Sequence, residues 1–357
     1  MIFFPTMGRN PIGVDLGARV IKAVQTGRSR GRRVVTASAS FARVRPDGPI
    51  DLDEVKRLSR VLSRQGFVGR QLVLAAPSEQ LMSAVVDMPP RESGAPYHLI
   101  AQQEFARLQS QEPGQFQVSW WDIPQPARSS STKVMTVGCA HADTDPLLDV
   151  FEAGGFDVSA MDSGLCAAVR ACREQLGSAQ SVSAVLDLGW SSARLAIVHG
   201  SVVVFDRTLA SSGMAGLHKR VCETFSVETD QADCLIQSVG LAPADSDPRQ
   251  TNNRTHEVAP MLRPIFTSFL EQIAGELRVS FEYASHQYPG AGTHRLILVG
   301  GGSAIPGLAE QLDTMITPEV LPAASPVWHP RDDPAKSKAR FAPMTAALGL
   351  AIYYKQG

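Results

Sequence analysis

Three short stretches of this chain combine residue types that could hold a phosphorylated ligand. Asp15-Leu16-Gly17 closes the apolar run Pro11–Val14, and Asp187-Leu188-Gly189 closes a run through Val185 and Leu186. In each, a carboxylate sits at a strand end with a glycine two residues on. The glycine lets a ligand approach the backbone, and successive N–H groups and hydroxyls of Gly189, Trp190, Ser191 and Ser192 could wrap a phosphate. The carboxylates could hold Mg²⁺ through water, because Mg²⁺ usually keeps part of its water shell. The third stretch is Gly300-Gly301-Gly302-Ser303, directly after the strand-like run Arg295–Val299. A helix is expected over Ala304–Leu312 with Pro306 at its first position, so a ligand could lie on bare backbone at the positive end of a helix dipole. This is neither a dinucleotide fingerprint, which fails at Ile305, nor a P-loop, since no G-K-[ST] occurs. For transfer of a phosphoryl group to a hydroxyl, the one carboxylate base that can be placed is Asp162, whose structural alternative is a helix N-cap.

The elements that must carry these residues follow from periodicity and punctuation. Strands are expected at 11–16, 20–25 and 34–44, joined by tight turns, and again as three strands within Ser183–Leu209. The order strand–hairpin–strand thus occurs twice, and Val14–Gly17 answers Leu186–Gly189, the mark of an internal duplication. Between the repeats, the pattern reads helix 50–66, strands 71–77 and 80–88, helix 96–110, strands 115–122 and 133–140, and helix 144–154. Trp120-Trp121 lies in this block without interleaved basic residues, which suits an anchor in the core rather than a base-stacking platform. A strand at 156–160 and a helix at 163–176 precede the second repeat. Helices follow at 213–225 and 229–239, then a polar loop at 241–256. A long helix runs to Ser285 with Pro260 and Pro264 in its first turn or at a kink, followed by a proline-rich loop at 317–340 and a closing helix at 341–354.

Composition narrows the class. The chain has 357 residues, 44% hydrophobic and 19% charged, with formal net charge −1. This is enough apolar sequence for two or three domains and gives no sign of a nucleic-acid face or a polybasic membrane patch. No apolar run reaches the ~18 residues of a spanning helix, and the N-terminal MIFFPTM is too short for a signal peptide. The cysteines at 139, 166, 172, 222 and 234 are odd in number and never form CxxC, which points to a reducing, cytoplasmic setting and to core roles.

Taken in order, the three glycine-bearing turns resemble the phosphate-1, phosphate-2 and adenosine elements of the actin, heat-shock chaperone and sugar-kinase superfamily. The resemblance implies an α/β, actin-like (ribonuclease H-like) duplicated two-lobed fold. Asp15 and Asp187 would face each other around Mg²⁺–ATP, Lys22 would reach the phosphates, and Gly300–Ser303 would lie against the adenosine. Within that superfamily the chain is similar, nearly end to end, to the PilM family of type IV pilus assembly proteins and more distantly to the FtsA family. The carriers are GVDLGARVIKAVQ (13–25), VVDMPP (85–90), Phe205-Asp206-Arg207, the stretch Gly275–Leu308 with E-x-x-x-S and G-G-G-x-x-x-P-G-L, and AALGLAIY (346–353). The resemblance implies a first half at 1–44 completed at 141–180, an inserted small α/β subdomain of the 1C type at 45–140, and a second half at 181–357 with a helical insert around 213–285.

Against the family pattern, Ala18 stands where a serine is usual, Gly164 where a glutamate is expected, Ile236 where a lysine is expected, and Ser212-Gly213 where a glycine pair is usual. One charge-assisted bond contributes roughly 1.5–3 kcal/mol, so the expectation is a scaffold whose ATP site is degenerate and at most a weak ATPase. The resemblance implies a cytoplasmic protein recruited to the inner face of the membrane by the N-terminal tail of a PilN-like partner. That tail would lie in a groove between the first subdomain and the insertion, and the complex would link to motor components. No nucleic acid is expected, and self-association stays open. A sugar or small-metabolite kinase is the alternative. FtsA-like tethering through a terminal amphipathic helix is disfavoured by the ending Tyr353–Gly357.

Overall fold

A computed structural model describes residues 10–124, 132–241, 253–289, 291–327 and 341–353. The expected loops at 124–132, 241–256 and 317–340 and the N-terminal segment therefore fall wholly or largely outside the described residues.

The first meander is β1 (Ile12–Leu16), β2 (Val20–Ser29) and β3 (Arg32–Ala42), with Ile12, Val14, Ile21 and Ala23 buried. Two strands, β4 (Gln71–Ala75) and β8 (Asp157–Asp162), extend it in parallel to give the order β3-β2-β1-β4-β8. The second meander is β9 (Val182–Leu188), β10 (Ala193–His199) and β11 (Val202–Leu209), extended by β12 (Thr293–Val299) and β13 (Glu319–Pro322). Its order, β11-β10-β9-β12-β13, repeats the first, so the duplication read from two hairpins extends to whole sheets. β13 lies in the stretch expected to be a loop. It is four residues at a sheet edge, the place where a strand can end on a proline such as Pro322.

Between the halves stands a separate sheet, β5 (Met82–Met88), β7 (Thr132–Ala140) and β6 (Phe116–Asp122), backed by α2 (Tyr97–Leu108). Phe105 meets Phe116 edge-on at 5.5 Å in its core. This small sheet begins at Met82, later than the expected boundary at 45. Helix α1 (Leu52–Arg64) and β4 belong instead to the first half, where Val55, Leu58, Leu62, Leu72 and Leu74 join Ile12 and Val14 in one cluster. The reason is legible in β4 itself: LVLA is buried on both faces, as a central parallel strand must be. Helix α3 (His141–Ala153) leads back to β8.

Helices α4 (Gly164–Ala171), α5 (Met214–Phe225), α6 (Thr229–Val239), α7 (Asn253–Gln287), α8 (Leu308–Asp313) and α9 (Thr345–Ala351) complete the described fold. α4 and α9 are shorter than expected; a 3₁₀ turn follows α4 at Arg173–Gln175 and another precedes α9 at Ala342–Met344. α7 starts within the stretch expected to be loop, which puts Pro260 and Pro264 inside the helix rather than in its first turn. The cysteines are free: Cys139 and Cys172 are buried as expected, whereas Cys234 is exposed. Among the described residues no helix is long and apolar enough to cross a membrane.

The halves meet through α4 and α9. A Cβ on Gly349 would stand 1.8 Å from the carbonyl oxygen of Ala167, and one on Gly13 would stand 2.2 Å from that of Ala347. Backbone therefore touches backbone at both faces of α9, and the cluster around it mixes Val24 of the first sheet with Val185, Ala196 and Ile297 of the second. Gly349→Ala should lower the denaturant midpoint by an amount corresponding to about 2–3 kcal/mol, because neither neighbour is a movable side chain. Gly216→Ala, on an exposed face of α5 with open space at its Cβ, should be neutral or gain up to ~1 kcal/mol. Urea unfolding of the two variants checks the contrast.

Candidate functional site

The turn after β1 places Asp15 directly across from Lys22 on β2, with Nζ 3.4 Å from Oδ2. The turn after β9 places Asp187 across from Arg194 on β10 in the same register. In both turns a Cβ on the glycine, Gly17 or Gly189, would come within 2.7 Å of a carbonyl oxygen across the turn, that of Val20 or Ser192. The two hairpins are thus copies down to the cation seven residues after the aspartate.

The glycine turn after β12 closes against the second hairpin. Gly300 has φ +82, and a Cβ there would stand 2.1 Å from Asp187 Oδ1. The following residues differ from expectation. Gly301–Ala304 forms a 3₁₀ turn, Ile305 is extended, Gly307 is left-handed, and α8 begins only at Leu308. Pro306 is therefore not a first helical residue, and the glycine turn presents bare 3₁₀ backbone to the cleft rather than the start of α8.

Asp15, Gly17, Ala18, Lys22, Asp187, Gly189, Trp190, Ser191, Ser192, Gly300, Gly301 and Gly302 all line one cleft of about 910 Å³. Ser303 does not line it: its hydroxyl donates to the Gly300 carbonyl at 2.6 Å and staples its own turn. Asp162 is also outside the lining. Its Oδ2 accepts from Arg170 at 2.7 Å and its Oδ1 from the Ser163 amide at 2.8 Å. The N-cap of α4 is Ser163, so Asp162 takes neither of the two roles the sequence offered it. Gly164 and Ile236 line the cleft at the positions where larger polar residues were expected.

Burial on the cleft floor pushes the Asp187 carboxyl up to about 6; Lys22 opposes this, Asp15 adds to it, and Arg194 opposes it. Both hairpins line this one cleft, which places them face to face. Arg194 itself is held by Asp206, Nη2 to Oδ2 at 2.6 Å, with both side chains buried. Two carboxylates from facing loops suit a Mg²⁺ bound through water. Among the described residues no cluster of His, Cys, Asp or Glu could hold a metal unaided, so phosphates would have to complete the shell.

Four residues across the mouth form a clasp that spacing did not reveal. Arg19, on the first hairpin, lies 4.3 Å over the ring of Trp190 on the second and places Nη2 2.9 Å from Asp233 Oδ2 on α6. His218 of α5 packs edge-on against Trp190 at 4.7 Å and bonds Asp233 through Nε2 and the Met214 carbonyl through Nδ1. Burial would raise the Asp233 carboxyl, but the bonds from His218 and Arg19 outweigh it and hold it below the usual carboxylate range. The amides that open α5 are spent on the second hairpin, Met214 N on the Gly189 carbonyl and Ala215 N on that of Trp190. The only sequence signal for the clasp was the arginine inside DLGAR; its partners come from elements far apart in the chain.

Two motifs outside the cleft prove to be one contact. Arg207, from the F-x-R strand end, pairs with Glu276 and approaches Ser280 Oγ at 3.4 Å, and these are the two fixed residues of E-x-x-x-S on α7. They rivet the long helix to β11.

The family described as type IV pilus assembly protein PilM matches residues 13–353. The chain belongs to the PilM family. Among solved structures, it is similar to a PilM–PilN type IV pilus biogenesis complex at TM-score 0.75 and 18% identity, over 96% of this chain and 98% of that one. It is similar to the ethanolamine utilization protein EutJ from Carboxydothermus hydrogenoformans at TM-score 0.55 and 16% identity, over 99% and 93%. It is also similar to MreB 5 of Spiroplasma citri bound to AMPPNP at TM-score 0.53 and 10% identity, over 96% and 95%. No curated protein sequence matches the chain. These likenesses establish the actin-like two-lobed fold that the paired hairpins implied.

Because Asp187 binds its proton more tightly folded than unfolded, the protein should lose stability as pH rises from about 4 to about 6 on its account. Above pH 6.5 Asp187→Asn should therefore stabilise the protein by on the order of 1–2 kcal/mol, after allowance for solvent in the open cleft, and so raise its thermal midpoint. The advantage should vanish below pH 4. Thermal melts of both proteins across this range read the difference.

Proposed function

We propose that this chain is a cytoplasmic actin-like scaffold of a type IV pilus or related secretion machine, and that it captures the N-terminal tail of a PilN-like inner-membrane protein. The observation that carries the reading is membership of the PilM family across residues 13–353, joined to a fold like that of PilM in a PilM–PilN complex. The extended tail would add to the face between the first half and the small inserted sheet, a mode that suits a linear peptide. The insertion is fixed rather than dangling. Trp121 Nε1 donates to the Val203 carbonyl on β11 at 2.7 Å, and Ile123 and Met135 join the core of the second half.

The cleft would take Mg²⁺–ATP. The hairpin backbones at Gly17 and Gly189, the hydroxyls of Ser191 and Ser192 and the Lys22 ammonium would hold phosphates. Asp15 and Asp187 would hold Mg²⁺ through water, and the 3₁₀ turn at Gly300–Gly302 would lie against the adenosine. Mg²⁺ supplies charge neutralisation between the phosphates and the two carboxylates. Ala18, Gly164 and Ile236 each withdraw a polar contact, so binding rather than hydrolysis is the role of the site. Residues 76–80, which connect β4 to the insertion, line the same cleft, so a bound nucleotide would touch the root of the subdomain that grips the tail. The kinase alternative keeps no support from Asp162, which Arg170 occupies.

The test is calorimetry of the full chain with a peptide copying the cytoplasmic tail of a co-encoded single-span protein. Binding at tens of micromolar or tighter is expected, and its absence at that level overturns the scaffold reading. Mg²⁺–ATP should bind the same protein, with affinity at least tenfold weaker in Asp187→Ala, and turnover should stay far below ordinary enzyme rates. Rapid phosphorylation of a sugar would reverse the ranking.

A further inference from the structure

The β2–β3 hairpin ends in a two-residue loop, Arg30-Gly31, with both residues at positive φ, +50 and +78. Glycine and asparagine suit such a loop, whereas arginine at its first position is strained. On the strands beside it, Arg28 stands directly opposite Arg33, and Ser29 opposite Arg32. Like charges facing each other across a strand pair oppose folding. The Arg33 guanidinium is pushed below its ordinary range by burial and by Arg28. Arg28, Arg30 and Arg32 are exposed, and a Cβ on Gly31 would meet nothing within 4 Å. Among the described residues no acidic side chain pairs with these three arginines. Among the described residues, a chain of net charge −1 therefore concentrates three exposed cations, Arg28, Arg30 and Arg32, on one tip without an acidic partner there. Local rules broken in this way mark sites that serve something outside the fold.

We infer that this arginine tip is a peripheral docking point for the anionic phospholipid surface of the membrane to which the partner tail brings the chain. The inference rests on the scaffold reading for that placement. A tip is convex and needs no groove in its ligand, which suits a lipid surface and not an acidic peptide, which would need a groove to lie in. Guanidinium forks match phosphate oxygens in pairs. No aromatic or aliphatic side chain stands between Arg28 and Arg33, so the tip adsorbs to headgroups without entering the hydrocarbon. Three arginines supply only weak adhesion by themselves. Added to a tethered tail, they act at high effective concentration and fix which face of the scaffold lies against the bilayer.

The experiment is flotation of the full chain with vesicles of phosphatidylglycerol or of phosphatidylcholine, at about 25 mM and about 250 mM salt. The variant is Arg28→Gln/Arg30→Asn/Arg32→Gln, whose thermal midpoint should equal or exceed the parent's, since Asn tolerates the left-handed position. The parent should float with phosphatidylglycerol at low salt only, and the variant's partition should fall roughly a hundredfold. The inference is overturned if the parent does not float or if the variant floats equally. It is overturned also if the variant instead loses affinity for the tail peptide, because the tip would then belong to an acidic protein site. A parent that floats but does not bind the tail would sink the scaffold reading and leave the lipid contact standing.

Discussion

Everything at the cleft depends on how closely two short helices approach. α4 belongs to the first half and α9 to the end of the second, and they cross where Gly349 leaves no room for a single carbon before the Ala167 carbonyl. On its other side α9 lies on β1 at Gly13. Small residues are a poor source of hydrophobic energy, but here they set a distance. With backbone against backbone, the first sheet and the second are held at one spacing, and the hairpins at the ends of β1 and β9 must face each other. A larger side chain at this crossing would shift a whole lobe and separate Asp15 from Asp187. The closing run AALGLA is thus as much a part of the site as the residues that line it.

With the lobes placed, electrostatics shapes the cleft. Each aspartate has a cation seven residues on, Lys22 or Arg194, directly across its hairpin. Lys22 stays at the cleft and touches Asp15, whereas Arg194 is drawn down to the buried Asp206. The copies have diverged, and the second aspartate is left under-compensated. At the mouth, Arg19 spans the gap to Trp190 and Asp233, so closure is held by the protein's own charges. A nucleotide in the cleft would share the mouth with this clasp.

Much of this was legible because it repeats. Two meanders, each with D-x-G at the end of its first strand, gave the duplication, the strand order within each meander and the cleft. What the sequence could not show is pairing between distant elements. F-x-R and E-x-x-x-S read as separate marks, yet Arg207, Glu276 and Ser280 form one rivet. Arg19, Trp190, His218 and Asp233 share no periodicity because four elements supply them. β4 falls inside the block that the resemblance marks as the insertion, although its two-sided burial fits a sheet centre. Ser303 was misjudged for a local reason: a serine three residues after a carbonyl can close its own turn more readily than reach a ligand. The neutral overall charge concealed the four arginines at 28–33, since a sum over the chain says nothing of where charge lies.

The retained glycines are weaker evidence for a nucleotide than they look. Gly17 and Gly189 would clash with carbonyls of their own turns, and Gly300 with Asp187 and Leu188, if any carried a Cβ. The fold demands them whether or not a phosphate ever arrives, so a chain that had lost its ligand would still keep them. Asp187 is different. Burial makes its charge unfavourable, as the rise to about 6 records, and a fold under selection for stability alone would replace it with a neutral residue of similar size. A carboxylate kept against its own cost, opposite a second one that is paired with the Lys22 ammonium, is what a phosphate–metal site requires and what packing does not. The case for a ligand in the cleft therefore rests on Asp187, Asp15 and Lys22, and the glycine motif that first draws the eye describes the scaffold.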